Sequence, residues 1–390
     1  MSRRIASVDT FIVTVPRDTP YLGPLAPGES VNARGYVVRR GNGTIYPVKD
    51  RSIVVRVVTD DGLVGWGETY GICAPRATCE IINDLLAPIV LGADPEDVAQ
   101  IWDQLYGLMR VRGCVGGFHV DAIAGVDIAL WDLRGRAAGV PLRDLLGATV
   151  NTSLPGYVSG LPAATLAERV ALAVAMYRAG HRSFKIAAAV SGEGILEEVA
   201  ALRRALGDEA ELLIDLHWKF SADEALALAR ALSPHRPGFI EAPVKPEDLA
   251  GLARVGRESV VPVAAGEEWY TAYEVANRLA AGPLEFIQPE MGHTGVTQFV
   301  RIAALAARRG VRIAPHATIG TGIFLAASLQ VSATLPHLWK HEWQHTIFTR
   351  SLALLEGGMG YDDNRYVLPT GAGLGVAPGA AFWKYAEKVE

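Results

Sequence analysis

Six residues able to do acid–base or ligand chemistry recur at nearly constant intervals in the later part of this 390-residue chain: Asp215, Glu241, Glu267, Glu290, His316 and Glu342. The intervals are 26, 26, 23, 26 and 26 residues, each close to one strand–loop–helix unit. Each residue ends a short β-like run, as in "ELLID" (211–215) and "GFIE" (238–241). A single strand-end glutamate is ordinarily a loop-facing or helix-capping group, whereas six in register place their side chains on one rim. Asp215, Glu241 and Glu267 end three successive strands, so their carboxylates converge. Packed together without a cation they would repel and raise one another's pKa. A divalent ion resolves the conflict, and all-oxygen ligation at a site with open positions favours one Mg²⁺ over Zn²⁺.

Glu290 precedes His316 by one unit, and a carboxylate beside a histidine fixes its tautomer and raises its basicity, as a general base requires. His217 stands two residues past Asp215 and faces the same way if the strand continues. Lys185 ends another run, "SFKIAA" (183–188), opposite His316. It either reaches the same rim to act on substrate or caps a helix in solvent. Glu197 and Glu198, by contrast, read as a solvated helix face.

Such residues need elements to position them. From about residue 154, short β-like runs near 156–160, 183–188, 211–215, 238–241, 261–267, 284–290, 311–316 and 338–342 alternate with Ala- and Leu-rich helices such as 194–207 and 222–233. Eight strand–helix units are the count for a (β/α)8 TIM barrel, whose active sites sit at the C-terminal rim. The earlier part is α+β: 52–68 reads as a hairpin around Asp60-Asp61-Gly62, helices follow at 76–90 and 95–112, and 121–147 reads as one amphipathic helix. Residues 17–50, rich in Gly, Pro and Asn and carrying Tyr21, Arg34, Tyr36 and Tyr46, read as a mobile functional loop. The expected α/β organisation is a capping domain over 1–128, a modified barrel over 129–365 and a C-terminal segment, 366–390, returning to the cap.

Half of the residues are hydrophobic, ample for a large core, and a net charge of −5 with interspersed signs gives no nucleic-acid surface. Three cysteines (Cys73, Cys79, Cys114) without metal or redox spacing suit reduced thiols in the cytoplasm. The N-terminal run is broken by Asp9 and ended by Pro16, so it reads as a strand and not a signal peptide, and no stretch has the length of a membrane span.

The segments "DGLVGWGE", "DIALWDLRGRAAGVPLRDLLG", "LLIDLH", "FIEAPV", "VPVAAGEE", "FIQPEMGHTGV" and "RIAPHA", in this order, resemble the mandelate-racemase-like group of the enolase superfamily over nearly the whole chain. "DLH" and "HRPGFIEAPV" are most similar to the galactonate-dehydratase-like acid-sugar dehydratases. The resemblance implies that Asp215, Glu241 and Glu267 bind Mg²⁺, that His316 and Glu290 form a base dyad, and that Glu342 hydrogen-bonds the substrate carboxylate. It implies that His217 protonates a departing hydroxyl, that Lys185, Glu342 and Trp269 contact substrate, and that the chain forms a homo-oligomer. Three departures stand out. Ala187 occupies the place of the second lysine of Lys-x-Lys, so two-base racemisation lacks that group. Glu290 replaces an aspartate, and "FIEAP" replaces "FIEEP" with the ligand glutamate retained.

The expected activity is Mg²⁺-dependent dehydration of a sugar acid, aldonate or aldarate: His316 takes the proton α to the carboxylate and His217 protonates the β-hydroxyl, leaving a 2-keto-3-deoxy acid. An epimerase, racemase or lactone cycloisomerase would use the same enediolate without losing water, with Lys185 or His217 as second base. A non-catalytic sugar-acid-binding protein is a third class, against which the intact metal set stands.

Overall fold

The computed structural model describes residues 3–188, 191, 194–317 and 320–390. Near the N-terminus, strands Ile5–Val15, Asp50–Thr59 and Val64–Tyr70 form an antiparallel sheet, and Ala386–Val389 from the far end of the chain pairs with the first of them. The expected hairpin is present, with Gly62 at φ +85° in its turn. Helix Phe118–Ala138 lies against this sheet. Gly65 and Gly67 allow its close approach, because a Cβ on either would collide with the helix backbone.

That helix differs from the expected amphipathic helix over 121–147. It is buried on nearly every side because the sheet covers one face and helix Met291–Arg309 the other, the contact fixed by Thr297 N–H donating to Asp127 Oδ2 at 2.9 Å. It stops where Gly139 adopts φ +70°, and Pro141 starts a separate turn of helix, Leu142–Leu146. The division expected at 128/129 falls inside this continuous helix.

Among the described residues, eight parallel strands then close a barrel: Ser153–Ser159, Ser183–Ala187, Glu211–Asp215, Phe239–Glu241, Val263–Ala265, Phe286–Ile287, Arg312–Ile313 and His341–Trp343. The last pairs with the first, and Ile313 bridges to Leu338 to complete the ring. Helices follow each strand, and two of them, Leu166–Arg178 and Ala222–Leu232, start with reciprocal capping boxes (Thr165/Glu168 and Ser221/Glu224). Glu198 corrects an expectation. It falls on the same stripe as Ile195, Val199 and Leu202, is buried, and pairs with Arg169 at 2.9 Å, while Glu197 is exposed. Among the described residues no helix is long and apolar enough to cross a membrane.

Strand alternation explains where polar groups go. Leu212 and Ile214 pack outward with the helices, while Leu213 joins Tyr157, Phe239, Ala264, Phe286 and Ala314 in a plug inside the barrel. Asp215, two residues past Leu213, and Glu241, two past Phe239, therefore stand on top of that plug.

Residues 17–50 are folded over the barrel mouth. A short hairpin, Tyr36–Val38 with Ile45–Pro47, carries the buried Arg39. Its guanidinium donates to the carbonyls of Tyr21 and Pro24 at 2.7 and 2.9 Å and to Glu29 Oε2 at 2.8 Å, which gives the segment a polar core of its own. Cap and barrel are joined by Glu68, whose buried carboxylate accepts from Ser52 Oγ on the cap and from the backbone N–H groups of Thr321 and Phe324 beyond the seventh barrel strand.

Candidate active site

A pocket of about 220 Å³ opens at the C-terminal rim, lined from the barrel by Lys185, Asp215, His217, Glu267, His316 and Glu342 among others. Tyr21, Thr44, Tyr46 and Tyr70 close it from the cap side. The structure thus brings together nearly all of the residues singled out in the sequence.

Asp215, Glu241 and Glu267 each offer an oxygen, and these oxygens lie within 4.8 Å of one another. Glu241 Oε1 accepts from Lys185 Nζ at 3.0 Å, while its Oε2 is buried with no hydrogen-bond partner among the described residues. Burial, with the charges of Glu241 and Asp215 adding, pushes the Glu267 carboxyl well above the ordinary range. An orphaned buried oxygen and a carboxyl that cannot comfortably ionise both fit a divalent cation held by the three.

Across the pocket, His316 Nδ1 is 2.8 Å from Glu290 Oε2, the dyad expected from the sequence, and the extra methylene of Glu290 does not prevent the contact. The other Glu290 oxygen accepts from Gly292 N–H at 3.0 Å. His316 Nε2 faces the pocket, 3.2 Å from Glu267 Oε2 and 3.6 Å from Glu342 Oε2. Burial disfavours its charged form, but the carboxylates of Glu267, Glu342 and Glu290 outweigh that and raise it to about 10.

Lys185 Nζ lies 3.0 Å from both Glu241 Oε1 and Glu342 Oε1. Burial opposes its charge, yet these two glutamates hold the ammonium well above its ordinary value, so it is a fixed positive charge and not a helix cap. Glu342 also accepts from Ser159 Oγ and from Ala317 N–H, the latter at 3.0 Å. Ala187 lines the pocket where a second lysine would stand.

His217 reaches the pocket by a different route from the expected one. The strand ends at Asp215, and His217 and Trp218 turn into the left-handed region at φ 50° and 53°. His217 N–H donates to Asp215 Oδ1 at 2.9 Å, so a turn closed by the carboxylate itself, not a continued pleat, presents the imidazole. Its Nδ1 lies 3.0 Å from Asp215 Oδ2 without hydrogen-bonding alignment. Ala242, directly after Glu241, is also left-handed at φ 46°, and such backbone strain gathers at functional sites.

Trp269 is a correction. Only 1% exposed, it does not line the pocket but folds back against Gly266 and beneath the Arg278 guanidinium, donating from Nε1 to Glu268 Oε1 at 3.0 Å. Gly266, at φ +121°, makes the turn that directs the ring inward. Glu268 takes the place at the pocket wall instead, and His293, Tyr70, Ser159 and Gln344 join it. The sequence reading missed these. Glu268 and His293 lie in the "GEE" doublet and in "GHTG", but neither ends a strand, so strand register does not point to them.

Residues 43–147 match the mandelate racemase/muconate lactonizing enzyme N-terminal domain, and residues 168–381 match the enolase C-terminal domain-like family. The chain is 34% identical over 321 residues to a D-galactonate dehydratase of Ralstonia nicotianae, covering 80% of this chain and 81% of the relative. It is 35% identical over 288 residues to a D-galactarolactone cycloisomerase of Agrobacterium fabrum, covering 73% and 75%. A solved structure from Sinorhizobium meliloti, provisionally described as an isomerase, is similar at 50% identity and TM-score 0.97 over 99% of this chain and all of that one. A racemase from Streptomyces coelicolor A3(2), solved with bound magnesium, is similar at 28% identity and TM-score 0.82 over 98% of each chain.

Proposed function

The chain belongs to the enolase superfamily, in its mandelate racemase/muconate lactonizing enzyme group, and from that premise we propose that it dehydrates a sugar acid, an aldonate or aldarate, to the 2-keto-3-deoxy acid. The observation that carries this reading is a pair of imidazoles, His217 and His316, lining one pocket from the third and seventh barrel strands, each beside its own carboxylate. The likeness to a D-galactonate dehydratase supports it.

A proton α to a carboxylate is very weakly acidic and leaves only if the charge it releases is stabilised. Asp215, Glu241 and Glu267 would hold Mg²⁺, a choice supported by the magnesium-bound relative. Bound there, the ion supplies positive charge to the substrate carboxylate. Lys185 adds a second fixed charge from the other side. With a cation on Glu267, the largest charge that holds the His316 imidazole protonated would be offset, and His316, with Nδ1 committed to Glu290, takes the α-proton at Nε2. His217 protonates the β-hydroxyl as its C–O bond breaks, water departs, and the resulting enol tautomerises to the ketone. Residues 17–50 close over the mouth and exclude water from the developing charge.

The cycloisomerase reading is favoured by one relative, the D-galactarolactone cycloisomerase. Incubating the Mg²⁺-loaded protein with linear hexonates and hexarates and with galactarolactone separates the two. Dehydration predicts that a linear acid loses one water by mass and gives a semicarbazide-reactive product. Turnover of the lactone alone, at unchanged mass, would replace this reading with the second.

A further inference from the structure

A third imidazole beside a carboxylate lines the same pocket, outside the machinery described so far. His293 sits in the first turn of helix Met291–Arg309, three residues past Glu290. Its Nδ1 is 2.6 Å from Oδ1 of Asp121, a buried residue of the cap's long helix. Its ring stacks on Tyr70 with centroids 3.9 Å apart and planes 13° from parallel, and Tyr270 leans against it at 4.8 Å. Gly292 makes the approach possible, because a Cβ there would meet the Tyr70 ring at 2.8 Å. Thr69 Oγ1, beside Tyr70, donates to the Gly292 carbonyl at 2.7 Å.

The ring is therefore fixed by a stack, a hydrogen bond and its own backbone. Nδ1 is committed to Asp121, which leaves Nε2 as the nitrogen available to the pocket. Asp121 and Tyr70, which hold it, both belong to the cap. The reacting carbons belong lower, among the strand-end groups Asp215, Glu267, Lys185 and His316. Held by Asp121 and Tyr70, His293 thus shares the cap-side wall of the pocket with Tyr21, Thr44 and Tyr46, and the rest of a substrate chain would extend along that wall.

Building on the sugar-acid reading, we propose that His293 is a specificity-determining residue whose Nε2 hydrogen-bonds a hydroxyl of the sugar chain beyond the α- and β-carbons, with Asp121 as its positioning residue. A site built to bond a hydroxyl discriminates against analogues that lack it, since its own polar group is then left unpaired. With Nδ1 turned to Asp121, Nε2 is the polar atom that can meet a sugar hydroxyl, itself both donor and acceptor.

The test is kcat/KM for a series of aldonates of three to six carbons, each with an α-hydrogen and a β-hydroxyl, in wild type, His293→Phe and His293→Gln. Phenylalanine keeps the stack on Tyr70, and glutamine keeps hydrogen-bonding capacity near Asp121, so one of them guards against a folding defect in the other. Wild type should gain rate with chain length, and in both variants the ratio of longest to shortest substrate should fall about 10- to 100-fold. A parallel fall across the whole series would make His293 part of the catalytic or structural framework and overturn the proposal, as would no change at all. Failure of wild type on every sugar acid would instead defeat the sugar-acid reading, and this proposal with it.

Discussion

Glu241 illustrates how much one side chain holds together: it is buried, anchors Lys185 through one oxygen and leaves the other for a cation. Glu241→Gln should remove the charge needed for a hard cation, so calorimetric titration with Mg²⁺ should show no binding in the range where wild type binds, and activity should vanish with it. Undiminished Mg²⁺ affinity would remove Glu241 from the ligand set. On the proposed mechanism His217 is the acid and not the base. His217→Asn should slow dehydration about 10²–10⁴-fold, the usual cost of losing one general acid, while α-proton exchange persists. If exchange were lost along with dehydration, His217 would be the base. At this scale the sequence was readable wherever a residue ended a strand, because period-2 alternation and a 26-residue repeat dictate its direction. Trp269 and His293 escaped for physical reasons. The inward turn at Gly266 is not encoded in strand periodicity, and the partner that fixes His293, Asp121, is 172 residues away in another layer.

The elements carry their own titration. His341 begins the eighth strand and ties it to helix Ile323–Ser332 through a 2.8 Å contact of Nε2 with Ser328 Oγ, while Nδ1 lies 3.0 Å from the Glu342 carbonyl. Burial lowers its pKa to about 4, so the folded protein keeps the ring neutral where the unfolded chain would protonate it. Between the unfolded value near 6.5 and about 4 the unfolded state binds the extra proton, so His341 contributes stability above that window and loses it as pH falls through it. The loss is on the order of 3 kcal/mol at most. His341→Gln should be less stable at pH 7 yet lose less on going to pH 4.5, as read by urea unfolding; an unchanged acid slope would contradict this. Element type was legible along the barrel because strand and helix patterns alternate there. The misread span was 121–147: apolar residues all around a helix signal burial on both faces, and Gly139 and Pro141 mark its end.

For the molecule as a whole, the division of labour is between a barrel that presents charge and a cap that covers it. The segment 17–50 was legible as a functional loop from its composition, but not its internal order, since the bonds of Arg39 to Tyr21, Pro24 and Glu29 depend on a fold that no local pattern specifies. We expect this segment to move as a pre-folded lid. Trypsin should cut at the exposed Arg34 and Arg40 in the free protein and more slowly once Mg²⁺ and a sugar acid are bound. Equal cleavage in both states would argue against closure. In the proposed reaction the barrel rim removes an α-proton through His316, with Glu290 behind it. This step is tested most directly by NMR, following exchange of the α-hydrogen of an accepted sugar acid in D₂O with wild type and His316→Asn. Wild type should wash deuterium into the α-position or the product, and His316→Asn should do neither. Exchange at the wild-type rate in His316→Asn would contradict it and move the base to His217 or Lys185.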